Sequence, residues 1–180
     1  MNRYLFFTIL SLSLTAFSCG ESSIDPSGNN ILLYESFESP IDKLVGWWFG
    51  DPALAEIVEE APEGGDKQAL RLSADWAPTL GFIYRPITGV KSGDILTLSA
   101  YVRATSAQGG GMIALITGST INSTRRKTAE SADQHWQFLS VTDTVQLAPN
   151  DTVWVLLSSF NTEAMQRRGL FDLVKLERQL

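Results

Sequence analysis

Side chains able to break bonds are scarce in this chain. There is one histidine, His135, which stands beside Trp136. A Ser-His-Asp arrangement would have to use it, yet the G-x-S-x-G turn that exposes such a serine is missing. No H-E-x-x-H pattern or His/Cys cluster offers zinc ligands. Glycoside hydrolysis needs two opposed carboxylates. Glu59 and Glu60 would face apart on one strand, so only acids meeting across a cleft could serve. The run Gly109-Gly110-Gly111 precedes no helical segment and reads as a turn, not a phosphate cradle. What remains is stacking and hydrogen-bonding chemistry. The stretch "LVGWWFGDP" sets Trp47 beside Trp48. Neighbours on an extended chain point to opposite faces, so one ring meets a core and the other meets something else. That could be water, a second layer of protein, or a ligand such as a sugar ring. Trp76, Tyr84, Tyr101, Arg71 and Arg103 add further planar groups of this kind.

The elements that must position these groups read as strands. Runs at even spacing are Ile31–Phe37, Ala55–Glu59, Gln68–Ala74, Gly81–Ile87, Asp94–Ala104, Gly111–Thr117, Trp136–Thr142, Thr152–Phe160 and Gly169–Glu177. In "GDILTLSAYVRA", Leu96, Leu98, Ala100 and Val102 share one face, and Thr97, Ser99, Tyr101 and Arg103 share the other. Turn residues separate the runs, as at Gly64-Gly65-Asp66 and Ser92-Gly93-Asp94. A short helix competes only at Ala53–Ala61. The pattern predicts an all-β domain, a two-sheet antiparallel β-sandwich or jelly roll. The polar stretch Gly118–Gln134, carrying Arg125, Arg126 and Lys127, reads as a long loop. On this frame Arg71, Tyr101 and Arg103 lie on polar strand faces and could line a shallow cleft, or form an ordinary solvent face. Trp76, just before Pro78, falls in a loop at a sheet edge. Trp154 is flanked by apolar residues on both sides and reads as core.

The amino terminus concerns location. Arg3 precedes an apolar run from Tyr4 to Phe17, too short to span a membrane and of the right length for a secretory signal. The segment ends Ala16-Phe17-Ser18-Cys19, which resembles a bacterial lipoprotein signal with its lipobox. The resemblance implies cleavage of residues 1–18, a lipidated Cys19 and, with Gly20 following, placement at the outer membrane or cell surface. It also accounts for Cys19 being the single cysteine of an exported chain. Residues 19–30, "CGESSIDPSGNN", are polar and form a tether of roughly 20 Å. Residues 31–180 form one domain. The net charge of −6 argues against nucleic acid as a partner.

The order of short signatures is similar to the carbohydrate-binding modules of families 4 and 9, within the galactose-binding-like jelly rolls. The matching pieces are Phe37-Glu38, Gly46-Trp47, Gly65 with Ala69-Leu70, Ser92-Gly93, Val102-Arg103, Trp136 and Phe171-Asp172. The resemblance implies that Trp47 and Trp136 pack inside. It implies a structural calcium held by Glu38, Asp172 and oxygens around Gly65-Asp66. Calcium takes six to eight hard oxygens, carboxylates and carbonyls mixed. It also implies a glycan ligand; with Trp47, Trp136 and Trp154 assigned to the core, the residues left to meet it are Trp48, Trp76, Tyr84 and Tyr101 as stacking rings and Arg71 and Arg103 as partners for hydroxyls. Two functions stay open: a non-catalytic, membrane-anchored lipoprotein that binds carbohydrate, or an assembly lipoprotein that docks a protein partner on the same sandwich.

Overall fold

The structure is a computed structural model that describes residues 30–74, 81–107, 109–161 and 167–179. The eleven strands are β1 (Ile31–Glu35), β2 (Trp48–Phe49), β3 (Ala55–Val58), β4 (Ala69–Ala74), β5 (Phe82–Ile87), β6 (Ile95–Ala104), β7 (Gly109–Gly118), β8 (Arg126–Ser131), β9 (Gln137–Thr144), β10 (Thr152–Asn161) and β11 (Arg167–Gln179). They form two antiparallel sheets. One has the order β3-β4-β11-β6-β9, with β1 also paired to β11; the other has the order β2-β5-β10-β7-β8. The alternation in β6 is what joins the layers: Leu96, Leu98, Ala100 and Val102 are fully buried, while Thr97, Tyr101 and Arg103 are half-exposed on the outside. Facing them across the core are Ile113 and Leu115 of β7 and Val155 and Leu157 of β10. All nine predicted runs are strands, with ends moved by one or two residues.

Two expectations are corrected, and one competition between helix and strand is settled. Within the predicted loop Gly118–Gln134, residues Arg126–Ser131 form β8, an edge strand paired to β7. The glycine run is the start of β7 and not a turn. Close approach explains it: a Cβ on Gly110 would stand 2.2 Å from the Phe160 ring, and one on Gly111 would stand 2.6 Å from the Phe171 ring. At Ala53–Ala61 a single 3₁₀ turn, Pro52–Leu54, capped by the Asp51 carboxylate, gives way to β3.

Strand β11 carries a break that matters below. One of its edges pairs throughout with β6, across a register shift between Asp172 and Lys175. The other edge is shared: β4 pairs with Arg167–Phe171 and β1 pairs with Val174–Glu177. Asp172 and Leu173 therefore face a gap between β1 and β4. Leu173 sits at φ +48° and Phe37, just beyond β1, at φ +55°. Both are left-handed conformations that a large side chain adopts only when the surroundings hold it there.

Candidate functional site

The outward side of the five-stranded sheet is a continuous aromatic and aliphatic surface. One row of register partners runs Trp48–Tyr84–Leu156–Ala114–Thr128 across all five strands. The flanking rows are Phe82–Ser158–Met112–Glu130 and Pro86–Trp154–Ile116–Arg126. Five strands at about 4.8 Å spacing make this face about 19 Å wide. The Trp48 and Tyr84 rings lie 6.3 Å apart with planes 20° from parallel. Tyr84 meets Trp154 at 6.0 Å and Phe82 at 6.2 Å. Trp154 is fixed by its own Nε1–H, which donates to the Gly118 carbonyl at 3.0 Å. Trp48 is 60% exposed, whereas Ala114, Ile116 and Leu156 are buried among Phe82, Tyr84, Met112 and Trp154. The result is a rail of rings on β2, β5 and β10, with a polar margin of Arg126, Thr128 and Glu130 on β8.

Trp48 owes its position to its neighbours, because β2 is only two residues long. Trp47 points inward, is 6% exposed, packs 6.2 Å from the Phe37 ring and donates from Nε1 to Glu35 Oε2 at 3.2 Å. Before it, Gly46 adopts φ +81°, and a Cβ there would stand 3.2 Å from the Arg85 guanidinium. Arg85 in turn donates to the Val45 carbonyl at 3.1 Å. The pair of tryptophans is thus pinned from both sides. Replacing Arg85 with alanine removes one hydrogen bond from a charged donor, so the midpoint of thermal unfolding falls by a few degrees, corresponding to about 1–2 kcal/mol. Trp48 loses its seat as well, so its ring becomes more exposed to quenchers; Arg85→Lys recovers part of both effects. Melting and fluorescence quenching of both variants check this.

Three other predicted contact residues, Arg71, Tyr101 and Arg103, lie on the opposite side of the molecule. Arg71, Leu170 and Arg103 share one row on the outward face of the six-stranded sheet. Both arginines are engaged by the chain itself, Arg71 by Glu56 and Arg103 by Glu60. Tyr101 stands edge-on to Phe138 at 5.3 Å. The predicted set is therefore divided: Trp48 and Tyr84 on one face, Arg71, Tyr101 and Arg103 on the other. Two more readings are corrected. Trp136 does not pack inside; it is half-buried on the outer face with the Arg103 guanidinium 5.6 Å above its ring. Trp154 is not core but part of the outward rail. Its signal was present in "TVWVLLSSF", where both parities are apolar, as in a strand covered on both sides. Phe82 and Met112 were missed as well. Trp76 and Cys19 lie outside the described residues. His135 is exposed and bonded to Asp133, whose carboxyl the His135 backbone N–H and ring hold below its ordinary range.

A second constellation fills the gap beside β11. Asp172 is fully buried; its Oδ1 accepts the Leu173 N–H at 2.7 Å, and its Oδ2 has no hydrogen-bond partner within the protein. Burial, followed by the negative charges of Glu38, Asp66 and Glu35, pushes its carboxyl up to about 7, against the pull of the Leu173 N–H. The hydroxyl of Tyr34 is also raised, by burial and then by Asp172 and Asp66, with Lys175 opposing. Glu38 Oε1 accepts the N–H groups of Lys67 and Gln68 at 3.0 and 2.9 Å and so ties the β3–β4 loop across the gap. A Cβ on Gly65 would stand 2.6 Å from Asp172 Oδ2, so a glycine is needed there. Among the described residues no three acidic, histidine or cysteine side chains are grouped to hold an ion by themselves. The unpartnered Asp172 Oδ2 is the one observation at this gap that a hard, oxygen-seeking cation would answer.

No protein-family model matches the chain, and no curated protein matches it. Solved structures do. The fold is that of jelly-roll carbohydrate-binding modules. A family 16 carbohydrate-binding module superposes with a TM-score of 0.61 at 18% identity, covering 82% of this chain and 99% of that one. The xylan-binding family 22 module from Paenibacillus barcinonensis gives 0.59 at 19% identity, covering 83% and 95%. A cyclase from Fischerella sp. in its apo form gives 0.62 at 16% identity, covering 85% and 98%. At these identities the likeness is one of fold. The likeness to families 4 and 9 rests on the order of sequence signatures alone.

Proposed function

We propose that this chain is a non-catalytic carbohydrate-binding protein that holds a glycan on the outward face of its five-stranded sheet. The observation that carries this reading is the outward rail Trp48–Tyr84–Trp154, placed across strands where soluble sheets present polar residues. Aromatic faces stack on the apolar C–H face of a sugar ring, and the rim residues Thr128, Glu130 and Arg126 offer partners to its hydroxyls. Two structural neighbours are described as carbohydrate-binding or xylan-binding, which supports the reading at the level of fold. In the same proposal the gap at Asp172 takes a structural calcium, with Glu38, Asp66 and neighbouring carbonyls as further ligands. The lipidated Cys19 places the domain at the outer membrane or cell surface. Affinity electrophoresis of the protein through gels containing a broad panel of polysaccharides tests the ligand. Retardation by at least one, lost in Trp48→Ala, is the expected outcome. No retardation by any would sink the reading and leave the face to the protein partner that the sequence also allows.

A further inference from the structure

We propose that the glycan held on this face carries an acidic group, a carboxylate or a sulfate ester, and that Arg126 reads it. This rests on the glycan-binding reading above. Arg126 is the register partner of Ile116, which is the register partner of Trp154. It therefore ends the row that contains Trp154, two strand spacings or about 10 Å from it. Its side chain is exposed, and among the described residues it has no carboxylate or carbonyl partner. Five of the other arginines differ. Arg71, Arg103, Arg125 and Arg178 are engaged by Glu56, Glu60, Asp151 and Asp94, and Arg85 by the Val45 carbonyl. In a chain with 20 acidic and 14 basic residues, carboxylates are in excess. An arginine without one, at the end of an aromatic rail, is open to an anion brought by the ligand. A guanidinium presents a planar fork of donors that matches a carboxylate or sulfate oxygen pair, and does so better than lysine.

The rest of the basic run does not act with it. Arg125 is held by Asp151 and the Gln146 carbonyl, and Lys127 pairs with Leu115, whose side chain is in the core, so it has the opposite parity. Four residues along β8, Glu130 lies on the same face as Arg126, about 13 Å away. It repels a second anion at that end. The arrangement therefore favours a polymer in which acidic and neutral sugars are interspersed over one that is charged at every residue.

The test uses gels cast with glucuronoxylan or a sulfated galactan, each beside its carboxyl-reduced or desulfated form, which separates the two sources of charge. Retardation by one charged polymer is expected to be about tenfold stronger than by its neutralised form. It should fall by about the same factor in Arg126→Gln and partly return in Arg126→Lys. Rising salt should weaken it, because the contact lies at the surface. Arg126→Gln should melt like the wild type. Equal binding to both forms, indifferent to Arg126→Gln but abolished by Trp48→Ala, overturns the proposal and leaves a neutral glycan site with Arg126 as an edge-strand charge. Binding to charged polymer that survives Trp48→Ala is ionic adsorption only and overturns it too. No binding to either polymer in either form overturns this proposal, and no binding across the broad panel above overturns the reading it rests on as well.

Discussion

Alanine at Trp47 is expected to unfold the domain readily, while alanine at its neighbour Trp48 leaves the fold intact and removes ligand binding. Trp47 is buried against Phe37, and its indole N–H is bonded to Glu35. Truncating a buried tryptophan costs about 3–5 kcal/mol through lost transfer energy and the cavity left behind. For a domain of this size that lowers the melting temperature by roughly 10 °C. The same cut also frees Glu35, whose other oxygen accepts the Phe37 N–H at 3.1 Å and helps hold the left-handed Phe37. Trp48 has 60% of its surface in solvent, so Trp48→Ala changes stability by about 0.5 kcal/mol or less. Its loss as a stacking platform costs about 2 kcal/mol of binding, close to thirtyfold in affinity. Thermal melts and glycan titrations of the two variants, run in parallel, check this. If Trp48→Ala melted as early as Trp47→Ala, the ring would belong to the fold and not to a site.

Asparagine at Asp172 is expected to stabilise the protein in the presence of a chelator and to abolish its response to calcium. The buried carboxyl titrates at about 7, well above its ordinary value of 3.8. Between those two values the folded state keeps a proton that the unfolded state has lost. Stability is therefore fullest near pH 4 from this group and declines as pH rises to 7. Below pH 4 the slope reverses, because Asp133 and Asp151 are held below the ordinary range by His135 and Arg125 and are protonated there. At pH 8 Asp172 is ionised opposite Glu35, Glu38 and Asp66, and a cation in the gap would relieve that repulsion. Calcium should raise the wild-type melting temperature at pH 8 by several degrees, and by less at pH 5 where protons compete. Asp172→Asn keeps the acceptor for the Leu173 N–H, removes the buried charge, and gains about 1–3 kcal/mol over chelated wild type at pH 8. Its melting temperature should vary less with pH and ignore calcium. A wild-type protein equally indifferent to calcium at pH 8 would rule the gap out as a cation site.

The sandwich was legible because apolar residues alternate along β6 and along β11 from Val174 to Leu176, and parity is written in the sequence. Edge elements were not. Of the β8 residues only Ala129 packs against the core, and β2 has two residues and no period at all. Which sheet a strand joins is a tertiary fact, and that is why the predicted contact residues fall on two separate faces. Tyr84 on β5 and Tyr101 on β6 are consecutive strands of like pattern, yet they lie in different sheets. The arginines looked free in the sequence because Glu56 and Glu60 reach them only across strands. The acidic gap was legible through Glu38, Gly65-Asp66 and Asp172. Its cause, the change of partner along one edge of β11, was not.

The four tryptophans among the described residues report on the aromatic rail, the core and the six-stranded face, so the indole N–H resonances of the isotopically labelled protein, followed during titration with a retarding glycan, test the site most directly. Shifts at Trp48 and Trp154 with Trp47 and Trp136 unmoved are the expected result. Shifts at Trp136 with Trp48 and Trp154 unmoved would place the ligand on the six-stranded sheet and contradict the assignment of the aromatic rail as the binding face.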